Sequence, residues 1–414
     1  MSTRFLQGCG LLALVLIVIV MYTAMYNHWH HIGDFVPHTR YIERIRDNDP
    51  EVFKELPNLL YHVSVLLPAS LFPRRILTDW IMPVCLGWSL LLVLLVWGQM
   101  RAALTEPPSE KARRALTMRG EVMAVILTLI AVILTPITLL TLENQYFGYL
   151  TPYVYHNPTM IPLRPIAFLL FIGAVSFASA EAVIWRFFER RRELQVPLLA
   201  ALTVASVLAK PNFVMVFIPA LVIWLVLMRL MRRHVDMQPI IMGIIVPGVA
   251  FLGYQSMSYS GSGIAFQPFY TQWLFALHYD PQADLNLGFK ILMSLAFPLV
   301  VTGVYWRQAL QNPMLLLAWI ATIGGLMLTY LFYDTGEPPA GNLVWSGQIS
   351  VMVLYLAALL FFVRRHLWLN TGPARDLLRF SLCVLVLELH VISGILWFGE
   401  HLANIWPDVI YTVW

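Results

Sequence analysis

The chain has 414 residues, of which 59% are hydrophobic and only 12% are charged, and its formal net charge at pH 7 is +4. Because a soluble globular protein carries about 25% charged residues, this chain has about half of the charge that a water-facing surface needs. The composition therefore excludes a soluble enzyme and indicates a polytopic integral membrane protein. The three cysteines, Cys9, Cys85 and Cys383, each lie within an apolar run and predict no disulfide or zinc site.

The N-terminus resembles a signal peptide but is long enough to cross a bilayer. Arg4 precedes an apolar run from Leu6 to Tyr26, which has the roughly 20 residues that a transmembrane helix needs. No small-residue cleavage site follows this run. We therefore interpret residues 6–26 as an uncleaved first membrane span.

A series of apolar runs of spanning length follows. The long run 195–231 is broken at Lys210-Pro211-Asn212, and because proline disfavours a continuous helix there, we interpret this run as two spans. The sequence thus predicts an all-α transmembrane bundle of about eleven spans, forming a single domain over residues 1–414. The other predicted spans are 76–98, 121–142, 164–186, 239–257, 286–306, 313–334, 343–363 and 377–398.

The short apolar segment 57–72 decides the orientation of the bundle. It contains Pro68 and ends at Pro73-Arg74-Arg75, so it either spans the membrane or lies along the interface. If it spans, almost every later loop violates the positive-inside rule, whereas otherwise most of the 27 Lys and Arg residues share one side. We therefore predict that 57–72 lies on the outer surface, with a cytoplasmic N-terminus and an extracytoplasmic C-terminus.

The first outer loop, residues 27–75, places an acid close to the membrane. Asp34 lies only a few residues beyond the first span. A carboxylate held there can act as a general base on a hydroxyl group, although the spacing alone favours a solvated acid or a helix cap. Long outer loops rich in aromatic, Gly, Pro and acidic residues are common places for a site, so we expect the function to face outward. The other long outer loops are 143–163, 257–285 and 335–342.

The first loop resembles that of the GT-C class of integral membrane glycosyltransferases. In that class a long extracytoplasmic loop directly follows the first span, an acid lies near its start, and amphipathic helices follow. Gly33-Asp34-Phe35, with His38 after it, fits this position. The resemblance implies that Asp34 is the catalytic acid–base residue of an enzyme that uses a lipid-phosphate-linked sugar.

A second stretch is similar to the polyprenol-phosphate-mannose-dependent mannosyltransferase branch of GT-C. His156-Asn157-Pro158-Thr159 opens an apolar span, a basic turn follows, and Lys210-Pro211 then precedes an apolar run that contains Pro219. The branch has an Asn motif and a Lys-Pro motif in the same order. Its usual Gly-Gln before the Asn is absent here, so the resemblance does not define the sugar. The similarity covers residues 143–231 and the first loop, about a third of the chain.

The chemistry of such a donor adds further candidate residues. A polyprenyl-phosphate sugar leaves a phosphate dianion on the lipid, which a cation at the outer membrane boundary would stabilise. Lys210 is the first candidate and Arg164 the second, and the structural alternatives are a snorkelling lysine and an interfacial arginine. We expect further polar groups to bind substrate, with ordinary interface polarity as the alternative. These residues are His38, Glu143, Asn144, His156, Asn157 and Glu337.

Two other groups of ionisable residues have a structural and a functional interpretation. The histidines near the first span match no metal-ligand spacing, and GT-C enzymes with lipid-monophosphate donors generally work without a metal, so we predict no metal and no cofactor. Glu388 and His390 lie near the middle of the last span, where an ionisable group costs at least a few kcal/mol unless it is paired or hydrated. They are either structural hydrogen-bonding partners or part of a proton path.

These observations lead to one leading hypothesis and two alternatives. The leading hypothesis is an inverting glycosyltransferase in a bacterial inner membrane. It would transfer mannose, or another hexose or pentose, from a polyprenyl-phosphate donor to an outer glycan or glycolipid. Its expected partners are these substrates and membrane lipids, and not nucleic acid. The alternatives are a transporter or flippase for a lipid-linked or small polar substrate, and a non-catalytic subunit of a membrane assembly, although no repeated half of the transporter kind is visible.

Overall fold

The computed structural model describes a protein that is mostly helical, which confirms the all-α prediction. Within the described residues, eight helices are long and apolar enough to cross a membrane, by length and composition. These helices indicate an integral multi-pass membrane protein. The structure describes residues 3–29, 34–56, 58–72, 76–105, 117–140, 145–146, 148–178, 192–258, 263–270, 286–335, 341–367 and 374–403.

The N-terminal region combines two long apolar helices with shorter helices between them. The helix after Asp34 is amphipathic, since it buries Phe35 and Ile42 and exposes its charged side chains. The next apolar helix has only 12 residues, which is about 18 Å of helix and too short for a bilayer core of about 30 Å. The helices are α1 Thr3–Trp29, α2 Phe35–Arg46, α3 Val52–Glu55, α4 Leu60–Leu71 and, after a single 3₁₀ turn Leu77–Trp80, α5 Ile81–Thr105.

The middle of the chain contains the predicted helical break. One helix ends at Ala209, Lys210 is extended, and Pro211 precedes the first turn of the next helix, so the predicted break is confirmed. The helices are α6 Thr117–Ile133, α7 Met160–Ser176, α8 Gln195–Ala209, α9 Asn212–Leu230, α10 Met237–Ile240 and α11 Val246–Ser258, with a π-helical turn Ile241–Ile245 between the last two.

The C-terminal part supplies the centre of the bundle. Its helices are α12 Leu287–Val304, α13 Trp306–Gln311, α14 Pro313–Leu331, α15 Val344–Leu367 and α16 Ala374–Ala403. Strand β1, Ile264–Phe266, pairs antiparallel with β2, Phe332–Asp334. Every side chain from Val351 to Leu359 is at most 1% exposed. Helix α15 packs among α5, α7, α9, α12 and α14. Because these neighbours cover it, its middle part is apolar on all sides.

The predicted span 121–142 is helical only in its first part. Helix α6 ends at Ile133, and Pro136 in the following extended segment has no N–H for a helical hydrogen bond. The backbone N–H of Ile137 instead donates to the Met293 carbonyl of α12 at 3.2 Å. Residues 134–137 are thus buried against neighbouring helices, whereas Leu140 is 69% exposed, and the chain does not continue as a helix over 134–140.

A proline within α12 leaves a carbonyl group to which a side chain of the central helix α15 donates a hydrogen bond. Because Pro298 lacks an N–H, the Ser294 carbonyl one turn earlier has no helical donor. The Tyr355 hydroxyl donates to this carbonyl at 2.5 Å. The bond satisfies a buried acceptor. Leaving that acceptor without a partner would cost about 1–3 kcal/mol of stability.

His390 supports the structural interpretation of the polar pair in the last span. Its Nδ1 donates to the Thr135 carbonyl at 2.6 Å, and its Nε2 accepts the Phe297 N–H at 3.2 Å. The imidazole therefore links the segment after α6 to α12 next to Pro298. Glu388 has a different environment, because it lies on the exposed side of α16.

Candidate functional site

Two residues that are distant in sequence meet at the start of α2. Asp34 is half-buried, and its side chain does not cap its own helix. Instead, Asn157 Nδ2 donates to Asp34 Oδ2 at 2.6 Å, across a separation of 123 residues. The acid after the first span and the Asn before α7, which were predicted as separate motifs, thus lie in one site.

The start of α7 fixes the orientation of the Asn157 amide. Its Oδ1 accepts hydrogen bonds from the Thr159 N–H at 3.2 Å, the Thr159 hydroxyl at 2.7 Å and the Met160 N–H at 3.3 Å. The Asn157 oxygen accepts hydrogen bonds from N–H groups at the start of α7, where the helix itself provides no acceptor for them. The other end of the amide, its NH₂ group, therefore points to Asp34. The amide thus presents a donor to an oxygen of the Asp34 side chain, which accepts.

Lys210 joins the same hydrogen-bond chain from the break between α8 and α9. Its Nζ donates to Thr159 Oγ1 at 3.2 Å and lies 5.3 Å from the Trp345 ring centroid. Only 4% of the residue is exposed, so Lys210 is not a snorkelling side chain. Burial lowers the pKa of Lys210 to about 8, and the charge of Asp34 opposes this shift. We call Asp34, Asn157, Thr159 and Lys210 the Asp34 cluster.

The turn that carries Lys210 is held by its neighbour Asn212. Asn212 Nδ2 donates to the Asn342 carbonyl at 2.7 Å and to Ser346 Oγ at 2.9 Å, at the start of α15. Asn342 Nδ2 in turn donates to Asp334 Oδ2 at 3.0 Å. The position of Lys210 therefore depends on contacts with two distant segments, which the Lys-Pro pattern does not reveal.

His38 lies one helical turn after Asp34 and pairs with a histidine of α4. His38 Nδ1 is 2.9 Å from His62 Nε2. Burial lowers the pKa of His62 to about 4, and the pKa of His38 falls well below its usual value through burial and the charges of His62 and Lys210. Both imidazoles are therefore neutral at pH 7. The sequence pattern did not identify His62, because only the packing of α2 on α4 brings the two rings together.

His156 lies beside the cluster in an aromatic setting. Its ring is 4.7 Å from that of Tyr146 and 5.4 Å from that of Trp345, centroid to centroid. Burial lowers the pKa of His156, while the charges of Asp34 and Lys210 act on it in opposite directions. Five of the predicted residues, Asp34, His38, His156, Asn157 and Lys210, thus come together.

Arg164 occupies a separate aromatic environment. Only 2% of the residue is exposed. Its guanidinium carbon lies 5.2 Å from the Tyr155 ring centroid and 5.9 Å from that of Tyr153, and Nη2 is 3.5 Å from the Tyr26 hydroxyl. It is therefore a buried cation rather than an interfacial anchor.

The remaining predicted residues are not placed. Glu143, Asn144 and Glu337 lie outside the residues that the structure describes. Within the described residues, no group of three or more His, Cys, Asp or Glu side chains is arranged to hold a metal ion.

The fold and the site define a helical multi-pass membrane protein with a buried polar cluster at the break between two helices. Comparisons of the chain with models of protein families, with curated proteins and with solved structures find no match.

Proposed function

We propose that this protein is an inverting glycosyltransferase of the GT-C type that uses a polyprenyl-phosphate sugar. The observation that carries the proposal is the hydrogen-bond chain from Asp34 through Asn157 and Thr159 to Lys210. It joins a carboxylate, a candidate base, to an ammonium group, a candidate phosphate ligand. The two ends of this hydrogen-bond chain, Asp34 and Lys210, come from the two stretches that resemble GT-C enzymes.

The proposed reaction uses the two charges at opposite ends of the transferred sugar. Asp34 removes the proton of an acceptor hydroxyl, and the acceptor oxygen attacks the anomeric carbon from the face opposite the phosphate. The bond between that carbon and the phosphate oxygen breaks, and its electron pair goes to the lipid phosphate. Lys210 stabilises the resulting negative charge.

The hydrogen-bonding capacity of the two cations supports their assignment to the phosphate. An ammonium group has three donors, of which Lys210 spends one on Thr159. Lys210 forms no ion pair with a carboxylate of the described residues. Arg164 is the second proposed phosphate ligand, because its Nε and Nη1 have no hydrogen-bond partner in the described part of the chain.

The same proposal includes the substrate contacts and the membrane topology. His38, His156 and Asn157 surround Asp34 and would bind substrate hydroxyls, together with Glu143, Asn144 and Glu337. The bundle would have eleven spans in a bacterial inner membrane, with a cytoplasmic N-terminus and an extracytoplasmic C-terminus. Helix α4 would lie on the outer surface, which its length of 12 residues supports, and the Asp34 cluster would face outward.

The transporter alternative receives less support. It used Glu388 and His390 as a proton path through the bundle. His390 instead spends both ring nitrogens on backbone groups, and Glu388 lies on the exposed side of α16. Neither residue therefore marks a hydrated path in the interior.

A transfer assay in nanodiscs tests the proposal. Radiolabelled polyprenyl-phosphate mannose, glucose and arabinose would each be offered with a membrane glycolipid extract as acceptor. We expect transfer by the wild type, and a loss of about 10²- to 10⁴-fold in Asp34→Asn, since Asn cannot take a proton. Asp236→Asn, at an exposed loop position, is the matched control and should keep full activity.

Two outcomes would contradict the proposal. Full turnover by Asp34→Asn at equal expression would remove Asp34 as the base. If the wild type bound none of the three donors in the same nanodiscs, the glycosyltransferase assignment itself would fail.

A further inference from the structure

One side of α16 is exposed along its length and is mostly apolar, with Ser381 in its first half and Glu388 at its centre. Exposed residues such as Leu382 and Leu396 flank seven exposed positions that follow a spacing of three and four residues: Leu378, Ser381, Leu385, Glu388, Ile392, Ile395 and Gly399. We call this set the α16 seam. Alternating steps of three and four are those of the a and d positions in a pair of packed helices.

Glu388 makes the seam unsuitable as a surface that faces lipid. Helix α16 runs from Ala374 to Ala403, so Glu388 is about 21 Å from either end at 1.5 Å per residue. The hydrocarbon core extends only about 15 Å on either side of its centre. No hydrogen bond or ion pair joins Glu388 to any described residue. A carboxyl group at that depth is costly unless a hydrogen-bonding partner covers it.

We propose that the α16 seam is the contact between two copies of this chain, related by a two-fold axis along the membrane normal. Among the described apolar helices, no other exposed charged side chain lies outside the terminal turns. Among the described residues of a second copy, the exposed charged group at the depth of Glu388 is thus Glu388 itself. A symmetric contact brings the two carboxyl groups together, because each seam residue then meets its own counterpart.

The chemistry of the carboxyl pair fits this arrangement. Two carboxyl groups that share one proton form a donor–acceptor pair, since the protonated group donates and the ionised group accepts. A single polar residue within an apolar a/d pattern also defines the register of two helices. At Gly399, a Cβ atom would meet nothing within 4 Å, so the chain itself leaves space for a partner helix. The proposal does not depend on the catalytic function.

Cysteine cross-linking in membranes tests the contact. The background is Cys9→Ser, which removes the exposed native thiol. Two variants, Ile395→Cys and Ile323→Cys, would be made separately in this background and oxidised in parallel. The two positions have similar exposure, 55% and 54%, but Ile323 is on α14. We expect a disulfide-linked dimer from Ile395→Cys only. Equal cross-linking of both positions, no cross-linking, or a seam cysteine linked to a different polypeptide would overturn the proposal.

The role of Glu388 is tested by the dissociation constant of the dimer in mild detergent. We expect Glu388→Leu to raise this constant by about 3- to 30-fold, the range found for hydrogen bonds between membrane helices. In contrast to Glu388→Leu, the single variant Glu388→Gln should still dimerise, because two amides can also pair across the axis. A Glu388→Leu dimer as tight as the wild type, with both proteins monodisperse, would contradict the role of the carboxyl pair.

Discussion

Asp34 and Lys210 have opposite charges and are separated by two neutral side chains that carry hydrogen bonds between them. Thr159 can hold this position because a hydroxyl has one donor and two acceptor sites, so it donates to Asn157 while it accepts from Lys210. The arrangement leaves both charges available to a ligand instead of neutralising them in a direct ion pair. The charge of Lys210 is therefore the property of the cluster that depends most on pH.

Lys210 should produce an alkaline limit of activity. Its pKa is lowered to about 8 by burial, so its positive charge is present below that pH and is lost as the pH rises through it. We expect kcat/KM for the donor to fall above pH 8, since this parameter reports the ionisation of the free enzyme. A pH profile of the transfer rate measures the limit.

Lys210→Arg is the control for this limit. Arginine stays charged throughout the range, so the alkaline decline should move upward even if the maximal rate is lower. Lys210→Met should weaken donor binding below pH 8, and its difference from the wild type should shrink as the pH rises above 8. An unchanged decline in Lys210→Arg would assign the ionisation to another group.

At the scale of the elements, close packing between helices depends on positions without a side chain. Helix α16 contacts α6 at Gly394, where a Cβ atom would collide with the Ile133 carbonyl oxygen. That carbonyl belongs to the last residue of α6, just before the extended segment that His390 holds. Gly394 thus allows the end of α6 to lie close to the middle of α16, and His390 holds the two together by its hydrogen bond to the Thr135 carbonyl.

Gly394→Ala should destabilise the protein. The added methyl group meets backbone, which cannot rotate away, so we expect a loss of about 1–3 kcal/mol, as for other overpacked cores. Thermal unfolding of the purified protein measures the effect. Gly303→Ala in α12, where a Cβ would meet nothing within 4 Å, should be neutral or slightly stabilising. Equal melting temperatures for the two variants would show that α16 can shift from α6 without cost.

Some of these elements could be predicted from the sequence and others could not, depending on whether nearby residues or distant contacts determine them. The break at Lys210 was predictable, because Pro211 interrupts the run locally. The early end of α6 was not, because residues 134–140 are as apolar as a helix interior, and the N–H groups of Ile137 and Thr138 donate to distant segments. In the site, the GT-C resemblance brought Asp34 and Asn157 together as candidates, whereas His62 depends on tertiary packing alone.

At the scale of the whole molecule, the proposed orientation places α2 and the loop after α9 on opposite sides of the membrane. Glu43 on α2 and Asp236 in that loop are both exposed. In intact cells of the Cys9→Ser variant, a membrane-impermeant thiol reagent should label Glu43→Cys but not Asp236→Cys. Both should react after permeabilisation. The reverse labelling pattern would mean that the bundle is inverted and that the Asp34 cluster faces the cytoplasm.

The central position of α15 also affects how the protein is made. This helix begins at Val344, so most of the chain leaves the ribosome before it. The helices that surround it must enter the membrane earlier, with the surfaces that α15 will cover still unoccupied. The insertion machinery or lipid has to shield these surfaces in the nascent chain. A ribosome that stalls before residue 344 would therefore release a ring of helices without its centre, a natural substrate for membrane quality control.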